Sequence, residues 1–127
     1  MIDRHQFVEE AVNAFPQLEP DIRDPTWVGL VHLEVSAFAR YTQQQIDGDQ
    51  RAELKRCFEL ARRALLEGTP DLKNAIAVSY LEHLNFRDQK RRRSWALEVM
   101  PEVLRAEFDA VNAAVRPNNS FERTREG

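Results

Sequence analysis

Two short glycine-containing links, DGD at residues 47–49 and EGTP at residues 67–70, constrain the fold of this chain more than any other feature. Each link separates segments in which apolar residues recur every three or four positions, which is the period of an amphipathic helix. Links this short make consecutive helices antiparallel neighbours. The spacing from Gly48 to Gly68 therefore predicts stacked helical hairpins.

Proline, glycine and capping residues predict where the helices begin and end. Asp24 and Pro25 resemble an N-cap followed by proline at the first helical position, and Gly68 is suited to the residue just after a helix. We predict an all-α fold, a compact antiparallel bundle of five to six helices over residues 3–14, 25–47, 49–67, 70–84, 88–99 and 101–115. Residues 1–116 form one domain, and the turn-rich segment 117–127 is a flexible tail.

Composition indicates a globular protein, because 43% of the residues are hydrophobic and 31% are charged. No apolar stretch is long enough to span a bilayer, and the N-terminus lacks the apolar core of a signal peptide, so we expect a cytoplasmic protein without a membrane partner.

Cys57 is the single cysteine. Its apolar neighbours at helical spacing predict that it faces the core, and no internal disulfide can form.

A basic run interrupts the otherwise acidic chain. It contains Arg87, Lys90, Arg91, Arg92 and Arg93 with one aspartate, a net charge of +4 in a chain whose total is −3, which leaves −7 for the rest. On a helix the last three arginines fan over about 200°, too wide for one face to follow a nucleic-acid backbone. A solvated, partly paired face is the favoured interpretation, ahead of a partner-binding patch, and nucleic-acid binding is the least favoured.

Two predicted helices carry polar residues at unexpected positions. The second helix is apolar nearly all round, and Glu34 lies outside its polar strip among aromatic and apolar positions. Such a carboxylate is either paired, with an arginine, Trp27 or Tyr80, or it is a functional group. In the fourth helix Asn74 and Glu82 flank Val78, with His83 beside them, and these residues either line a polar groove or satisfy a neighbouring loop.

No pattern in the sequence predicts a metal, a cofactor or a nucleophile. The three histidines, at positions 5, 32 and 83, are not spaced as helical metal ligands. The chain has four glycines and contains no phosphate-binding loop, dinucleotide fingerprint or Gly-x-Ser-x-Gly motif. Enzyme activity therefore has no support beyond the two unusual carboxylates.

Two stretches, HLEVSAFARY at residues 32–41 and GTPDLKNAIAVSYLEHLNF at residues 68–86, resemble a family of small bacterial helical proteins classed as a domain of unknown function. Trp95 and the Met100-Pro101 pair fit the later part of the same pattern, and the resemblance covers most of residues 3–115. It implies a compact helical domain without an established activity. By analogy of fold alone, similar small acidic proteins act as immunity proteins that neutralise a partner toxin.

Three functional hypotheses follow. The first is a non-catalytic protein-binding module, immunity-like or regulatory, since an acidic body suits a basic partner. The second is a small-ligand binder or enzyme that uses Glu34, Glu82 and His83, and the third is nucleic-acid binding through residues 87–93. Self-association of the chain stays open. The candidate binding residues are Glu34, Asn74, Glu82, His83 and Arg87, and the candidate partner patch comprises Lys90, Arg91, Arg92 and Arg93.

Overall fold

The computed structural model describes residues 1–86 and 94–111. These ranges contain seven helices: α1 (Arg4–Ala14), α2 (Glu19–Ile22), α3 (Val31–Asp47), α4 (Arg51–Glu67), α5 (Pro70–Ala75), α6 (Ser94–Glu98) and α7 (102–111). They include no β-strand, and one isolated bridge joins Ile2 to Gly68. The predicted all-α fold class is confirmed. The count exceeds five or six because the connector after α1 contains the one-turn helix α2.

Helix α1 begins and ends as its sequence predicts. The Asp3 carboxylate accepts a hydrogen bond from the Gln6 backbone N–H at 2.8 Å, and the Gln6 side chain accepts one from the Asp3 N–H at 3.1 Å, which completes a capping box. Pro16 ends the helix and begins a 3-10 turn, Pro16–Leu18. In the polar connector that follows, Leu18 and Ile22 are both buried, so they hold it against the core.

The centre of the domain is an aromatic cluster that joins α1, α3 and the segment after α5. Phe38 on α3 stacks on Tyr80 with ring centroids 5.0 Å apart, and Phe7 meets Phe38 edge-on at 5.5 Å. The buried Tyr80 hydroxyl lies 3.0 Å from the Thr42 hydroxyl, which donates to the Phe38 carbonyl at 2.9 Å. Each buried hydroxyl therefore has a partner, as a polar group in such a core requires. Cys57 is fully buried, which confirms its predicted place in the core.

The second predicted helix begins six residues later than the Asp24-Pro25 pair indicates. Asp24 does cap a turn, since its carboxylate accepts from the Thr26 N–H at 2.8 Å and its carbonyl accepts from the Val28 N–H at 3.0 Å. The turn ends at Gly29, whose φ of +92° lies in the left-handed region that a helix cannot include. The helix α3 starts only at Val31, so residues 25–30 form a loop.

The fourth predicted helix keeps α-helical geometry only as far as Ala75. Residues Ile76–Tyr80 form a π turn and Leu81–His83 a 3-10 turn. Within the π turn the Ser79 hydroxyl lies 2.7 Å from His32 Nδ1 on α3. This contact ties the π turn to α3. Turns of this kind are frequent at functional sites. The placement of Asn74 and Glu82 on either side of Val78 assumes a regular helix, and the π turn interrupts that helix.

The N-terminal residues pair with the link between α4 and α5. The Ile2 N–H donates to the Glu67 carbonyl at 2.7 Å, and the Thr69 N–H donates to the Ile2 carbonyl at 2.8 Å. Gly68 between them directly follows α4, as predicted, and its backbone is extended (φ −75°, ψ 164°). A Cβ atom built there would lie 2.3 Å from the Ala64 carbonyl oxygen, so close approach of the backbone explains the glycine.

The C-terminal helices pack onto the bundle through a few apolar side chains. Ala96, Met100 and Leu104 are buried, and Phe108 meets Phe86 edge-on with ring centroids 5.4 Å apart. Pro101 separates α6 from α7, as the sequence predicts. Residues 88–93 and 112–115 of the two predicted helices lie outside the described residues. Of the helices in residues 1–86 and 94–111, none is both long and apolar enough to cross a membrane.

Candidate functional site

The buried carboxylate of Glu34 lies in the first turn of α3 and holds the preceding loop in place. Its side chain is fully buried. One oxygen, Oε2, accepts a hydrogen bond from Arg4 Nη1 at 2.7 Å and another from the Gly29 backbone N–H at 2.8 Å. The arginine neutralises the charge, and the left-handed conformation of Gly29 turns its N–H toward the carboxylate. Glu34 is therefore paired with an arginine, the first of the partners expected from the sequence.

Trp27 holds the loop of residues 25–30 against α2. The Trp27 indole N–H donates to the Asp21 carbonyl at 2.9 Å, and the Arg40 guanidinium lies 5.5 Å from the centre of the indole rings. Arg40 also binds the Asp21 carboxylate through two hydrogen bonds of 3.0 and 2.9 Å. Because α2, the loop and α3 are tied together by these contacts, the loop has a defined shape.

The loop and the first turn of α3 expose large apolar side chains. Six such side chains are exposed in the described residues, and three of them fall within six consecutive positions: Val28 (55%), Leu30 (53%) and Leu33 (44%). We call these three residues the Val28–Leu33 patch. Isolated exposed apolar residues are ordinary, whereas a cluster of them is typical of an interaction surface.

A hydrogen bond between His32 and Ser79 joins the patch to the π turn. His32 directly precedes Leu33, and Ser79 directly follows Val78, a fourth exposed apolar side chain. Ser79 is buried, with 6% of its surface exposed, and His32 is half-buried. The pair brings together residues 47 positions apart and sets Val78 on the element next to the patch.

The residues predicted from the sequence as a binding site differ in burial. Glu34 is buried at the start of α3, whereas Asn74, Glu82 and His83 are exposed on α5 and its continuation. Within the described residues no hydrogen bond or ion pair joins Glu34 to any of those three. The other candidates, Arg87, Lys90, Arg91, Arg92 and Arg93, lie outside the described residues.

The sequence does not predict the Val28–Leu33 patch, because its signals place residues 25–30 in the second helix. In that helix Val28 and Leu30 count as core positions. The one available signal was Gly29, which weakens a helix interior and here ends the turn. Leu33 was likewise counted among the apolar positions of a helix that is buried nearly all round, although it is 44% exposed.

No group of three or more histidine, cysteine, aspartate or glutamate side chains comes close enough to hold a metal ion in residues 1–86 and 94–111.

Burial dominates the pKa shifts of the hydroxyl and thiol groups in the core. It raises the pKa of Cys57 to about 12 and that of Tyr80 well above its ordinary value. Near the loop, hydrogen bonds from Thr26 lower the pKa of Asp24, which is therefore a carboxylate at neutral pH.

Comparison with known proteins identifies the family but adds no described relative. No curated protein and no solved structure matches the chain. One family matches residues 8–114, a range that begins within α1, continues beyond residue 111 and includes Glu34, the whole loop and the π turn, but not Arg4. Since this match spans most of the sequence, the chain belongs to the family described as Domain of unknown function (DUF7674).

Proposed function

We propose that this chain is a non-catalytic protein-binding module, immunity-like or regulatory, that docks through the Val28–Leu33 patch. The observation that carries the proposal is the exposure of three large apolar side chains, between 44% and 55%, within six consecutive residues of the loop and the first turn of α3. Burying such side chains against a partner removes apolar surface from water and drives association. Most other large apolar side chains of the described residues pack into the buried core.

The fixed shape of the loop supports the same function. Glu34 binds the Gly29 N–H, Asp24 caps the turn, and the Trp27 indole binds a backbone carbonyl of α2. A surface that is already ordered loses little conformational entropy when it binds, so more of the contact energy appears as affinity. The backbone N–H groups of Trp27, Val28 and Leu30 are all used within the chain. A partner would therefore contact this loop chiefly through the side chains.

The proposed setting is the cytoplasm of a bacterium. An immunity-like role means that the partner is a toxin, and a regulatory role means another protein of the same cell. A reading frame for a toxin beside the gene for this chain would support the first role over the second. The resemblance to immunity proteins is one of overall fold, so the patch rather than the fold carries the proposal.

Purification of tagged protein from its native host tests the proposal. We expect a specific partner to copurify with the wild type, and its recovery to fall about tenfold or more with Leu30→Ser, because one central apolar contact often carries that much affinity. Leu66→Ser is the matched control, since Leu66 is 46% exposed on α4, outside the loop. Both variants should melt at the wild-type temperature. Equal recovery with Leu30→Ser and wild type contradicts docking through the patch.

The second candidate function is a small-ligand binder or enzyme, and the observation that favours it is the 2.7 Å contact between His32 Nδ1 and the Ser79 hydroxyl. A histidine in this position can activate a serine as a nucleophile. Ser79 is almost fully buried, which opposes access by a substrate. A serine-reactive phosphonate probe separates the two functions: labelling of Ser79 that is lost in His32→Ala supports the enzyme, and no labelling supports the binding module.

Nucleic-acid binding through residues 87–93 stays a third candidate, on the sequence alone. It requires a gel shift at low salt that weakens steeply as salt is added and disappears in Arg91→Glu plus Arg92→Glu. The protein-binding proposal expects no shift under the same conditions.

A further inference from the structure

The hydrogen bond between His32 and Ser79 fixes which imidazole nitrogen carries a proton. In a neutral histidine ring one nitrogen donates and the other accepts. Ser79 is buried, and within the described residues the partner of its hydroxyl is His32 Nδ1, at 2.7 Å. If Nδ1 carried a proton, in the neutral or the charged ring, the Ser79 hydroxyl hydrogen would have no acceptor, which is costly for a buried group. Ser79 therefore donates to Nδ1, and the proton of the ring lies on Nε2.

The Nε2 nitrogen of His32 reaches the surface of the molecule. In residues 1–86 and 94–111, the buried side-chain nitrogen and oxygen atoms without a hydrogen-bond partner are Arg23 Nε and Glu34 Oε1. His32 Nε2 has no partner in those residues either, and it is not one of the two buried atoms. It is therefore a donor open to solvent on a half-buried residue. Because a buried hydroxyl holds the other ring nitrogen, this donor loses little conformational freedom when it binds.

Exposed apolar side chains lie on both elements that meet at this hydrogen bond. Leu33, 44% exposed, directly follows His32 on α3, and Val78, 40% exposed, directly precedes Ser79 on the π turn. The Leu30 carbonyl accepts from the Leu33 N–H at 3.0 Å, so Leu30 belongs to the same turn as Leu33. A hydrogen bond made between apolar contacts is shielded from water, which strengthens it.

We propose that the His32 Nε2–H group is the polar anchor of the docking surface. It donates to a main-chain carbonyl of the partner, while apolar side chains beside that carbonyl pack on Leu33 and Val78. The inference rests on the proposed function and names the chemistry of the partner segment. A carboxylate is a poorer match, because one neutral donor does not offset the hydration that a carboxylate loses against apolar surface. A second copy of this chain on a two-fold axis at His32 would bring donor against donor and leave both unpaired.

The first measurement is the ring tautomer of His32, read from the shifts of its two ring nitrogens in isotopically labelled full-length protein. The spectra are recorded at about pH 8, where free histidine is neutral. We expect a proton on Nε2 and none on Nδ1, and we expect the Nδ1 shift to change in Ser79→Ala, which lacks the donated bond. The ring nitrogens of His5 on α1 should not change in that variant. A proton on Nδ1 of His32 overturns the inference.

The second measurement titrates the same labelled protein with N-acetyl-leucine N-methylamide, which carries main-chain carbonyls beside one apolar side chain. We expect shifts of His32 Nε2 and of the Leu33 and Val78 amides. N-acetylglycine N-methylamide lacks the apolar side chain, and isovalerate replaces the amide with a carboxylate, so both should bind more weakly. The inference is wrong if either control binds as tightly at these residues, or if the leucine probe shifts none of them. Shifts that depend on protein concentration without a probe would indicate a second copy and also overturn it.

Variants of His32 test the anchor itself. His32→Phe plus Ser79→Ala keeps an aromatic ring, removes the donor and leaves no hydroxyl without an acceptor, and it should weaken binding of the leucine probe about tenfold. His32→Gln is the conservative control, because its amide oxygen can accept from Ser79 while its nitrogen donates outward, and it should retain most of the binding. Thermal unfolding checks that both proteins are folded. Unchanged binding in the double variant, or equal losses in both proteins, overturns the inference.

The native partner distinguishes failure of this inference from failure of the proposed function. If Leu30→Ser loses the partner and His32→Phe plus Ser79→Ala retains it fully, the patch docks a partner but His32 does not anchor it. If Leu30→Ser retains the partner, the proposed function itself fails.

Discussion

Arg4 Nη1 lies 2.7 Å from the Glu34 carboxylate, thirty residues away in sequence, and this ion pair joins the first turn of α1 to the first turn of α3. The same carboxylate oxygen binds the Gly29 N–H. One buried charge therefore links the N-terminal helix, the loop and the helix that follows it. The conformation of the Val28–Leu33 patch depends on this linkage, because Gly29 lies between Val28 and Leu30.

The first prediction concerns this ion pair. Arg4→Met keeps much of the aliphatic side chain but leaves the fully buried Glu34 carboxylate without its cation. Loss of one partner from a buried pair costs about 3–5 kcal/mol. Since Arg4 is 34% exposed and water can replace part of it, we expect the free energy of unfolding to fall by about 2–3 kcal/mol. Equilibrium unfolding in urea measures the change.

Arg62→Met is the control, because Arg62 pairs with Glu59 at 3.0 Å on the exposed side of α4. A surface pair of this spacing contributes roughly 0.5 kcal/mol or less. If the two variants lose the same small amount of stability, Glu34 does not depend on Arg4, and the linkage between α1 and the loop is not important for the fold.

The helices were predictable from the sequence because their signals are local. Proline and glycine signals act within a few residues, and the C-terminal ends predicted for the first and third helices hold in the structure, at Ala14 and Glu67. The all-α class and the core position of Cys57 follow from short-range periodicity.

The site was less predictable because its contacts are long-range. Glu34 was identified as unusual from its helical neighbours, but its partner Arg4 lies on another helix. The π turn at Ile76–Tyr80 accompanies contacts of Ser79 and Tyr80 with α3, which no local pattern contains. The loop was hidden by Asp24 and Pro25, since these residues do cap a turn and only Gly29 ends it.

The second prediction concerns Gly68. A methyl group on this residue would lie 2.3 Å from the Ala64 carbonyl oxygen and 3.0 Å from Leu72 Cδ2, and backbone must shift to admit it. The shift would disturb the hydrogen bonds of Ile2 with Glu67 and Thr69. We expect Gly68→Ala to lower the free energy of unfolding by about 2–4 kcal/mol, the range of overpacked buried sites and broken backbone contacts. Thermal unfolding followed by circular dichroism measures it.

Gly48→Ala provides the comparison, since its added methyl group would approach the Gln44 carbonyl oxygen only to 3.2 Å. A few tenths of an ångström of movement relieves that contact, so this variant should lose less than about 1 kcal/mol. A Gly68→Ala protein as stable as Gly48→Ala would mean that the link between α4 and α5 tolerates a side chain, contrary to the close approach in the structure.

The third prediction is a pH dependence caused by Cys57. Burial is the largest cause that raises the pKa of its thiol, to about 12, whereas an unfolded cysteine has a pKa of about 8.5. The folded protein therefore keeps the proton at pH values where the unfolded chain releases it. The thiol contributes its full share of stability below a pH of about 8.5 and loses it as the pH rises toward 12.

Cys57→Ala removes this ionisation while it leaves the other titrating groups in place. Between about pH 8 and pH 10 we expect the wild type to lose about 2 kcal/mol more unfolding free energy than the variant, from the proton released on unfolding. The variant begins less stable, because a sulfur atom is missing from the core, so the two curves should converge as the pH rises. Urea unfolding at several pH values measures both curves. Parallel curves would show that the thiol ionises equally easily in the folded protein, contrary to its full burial.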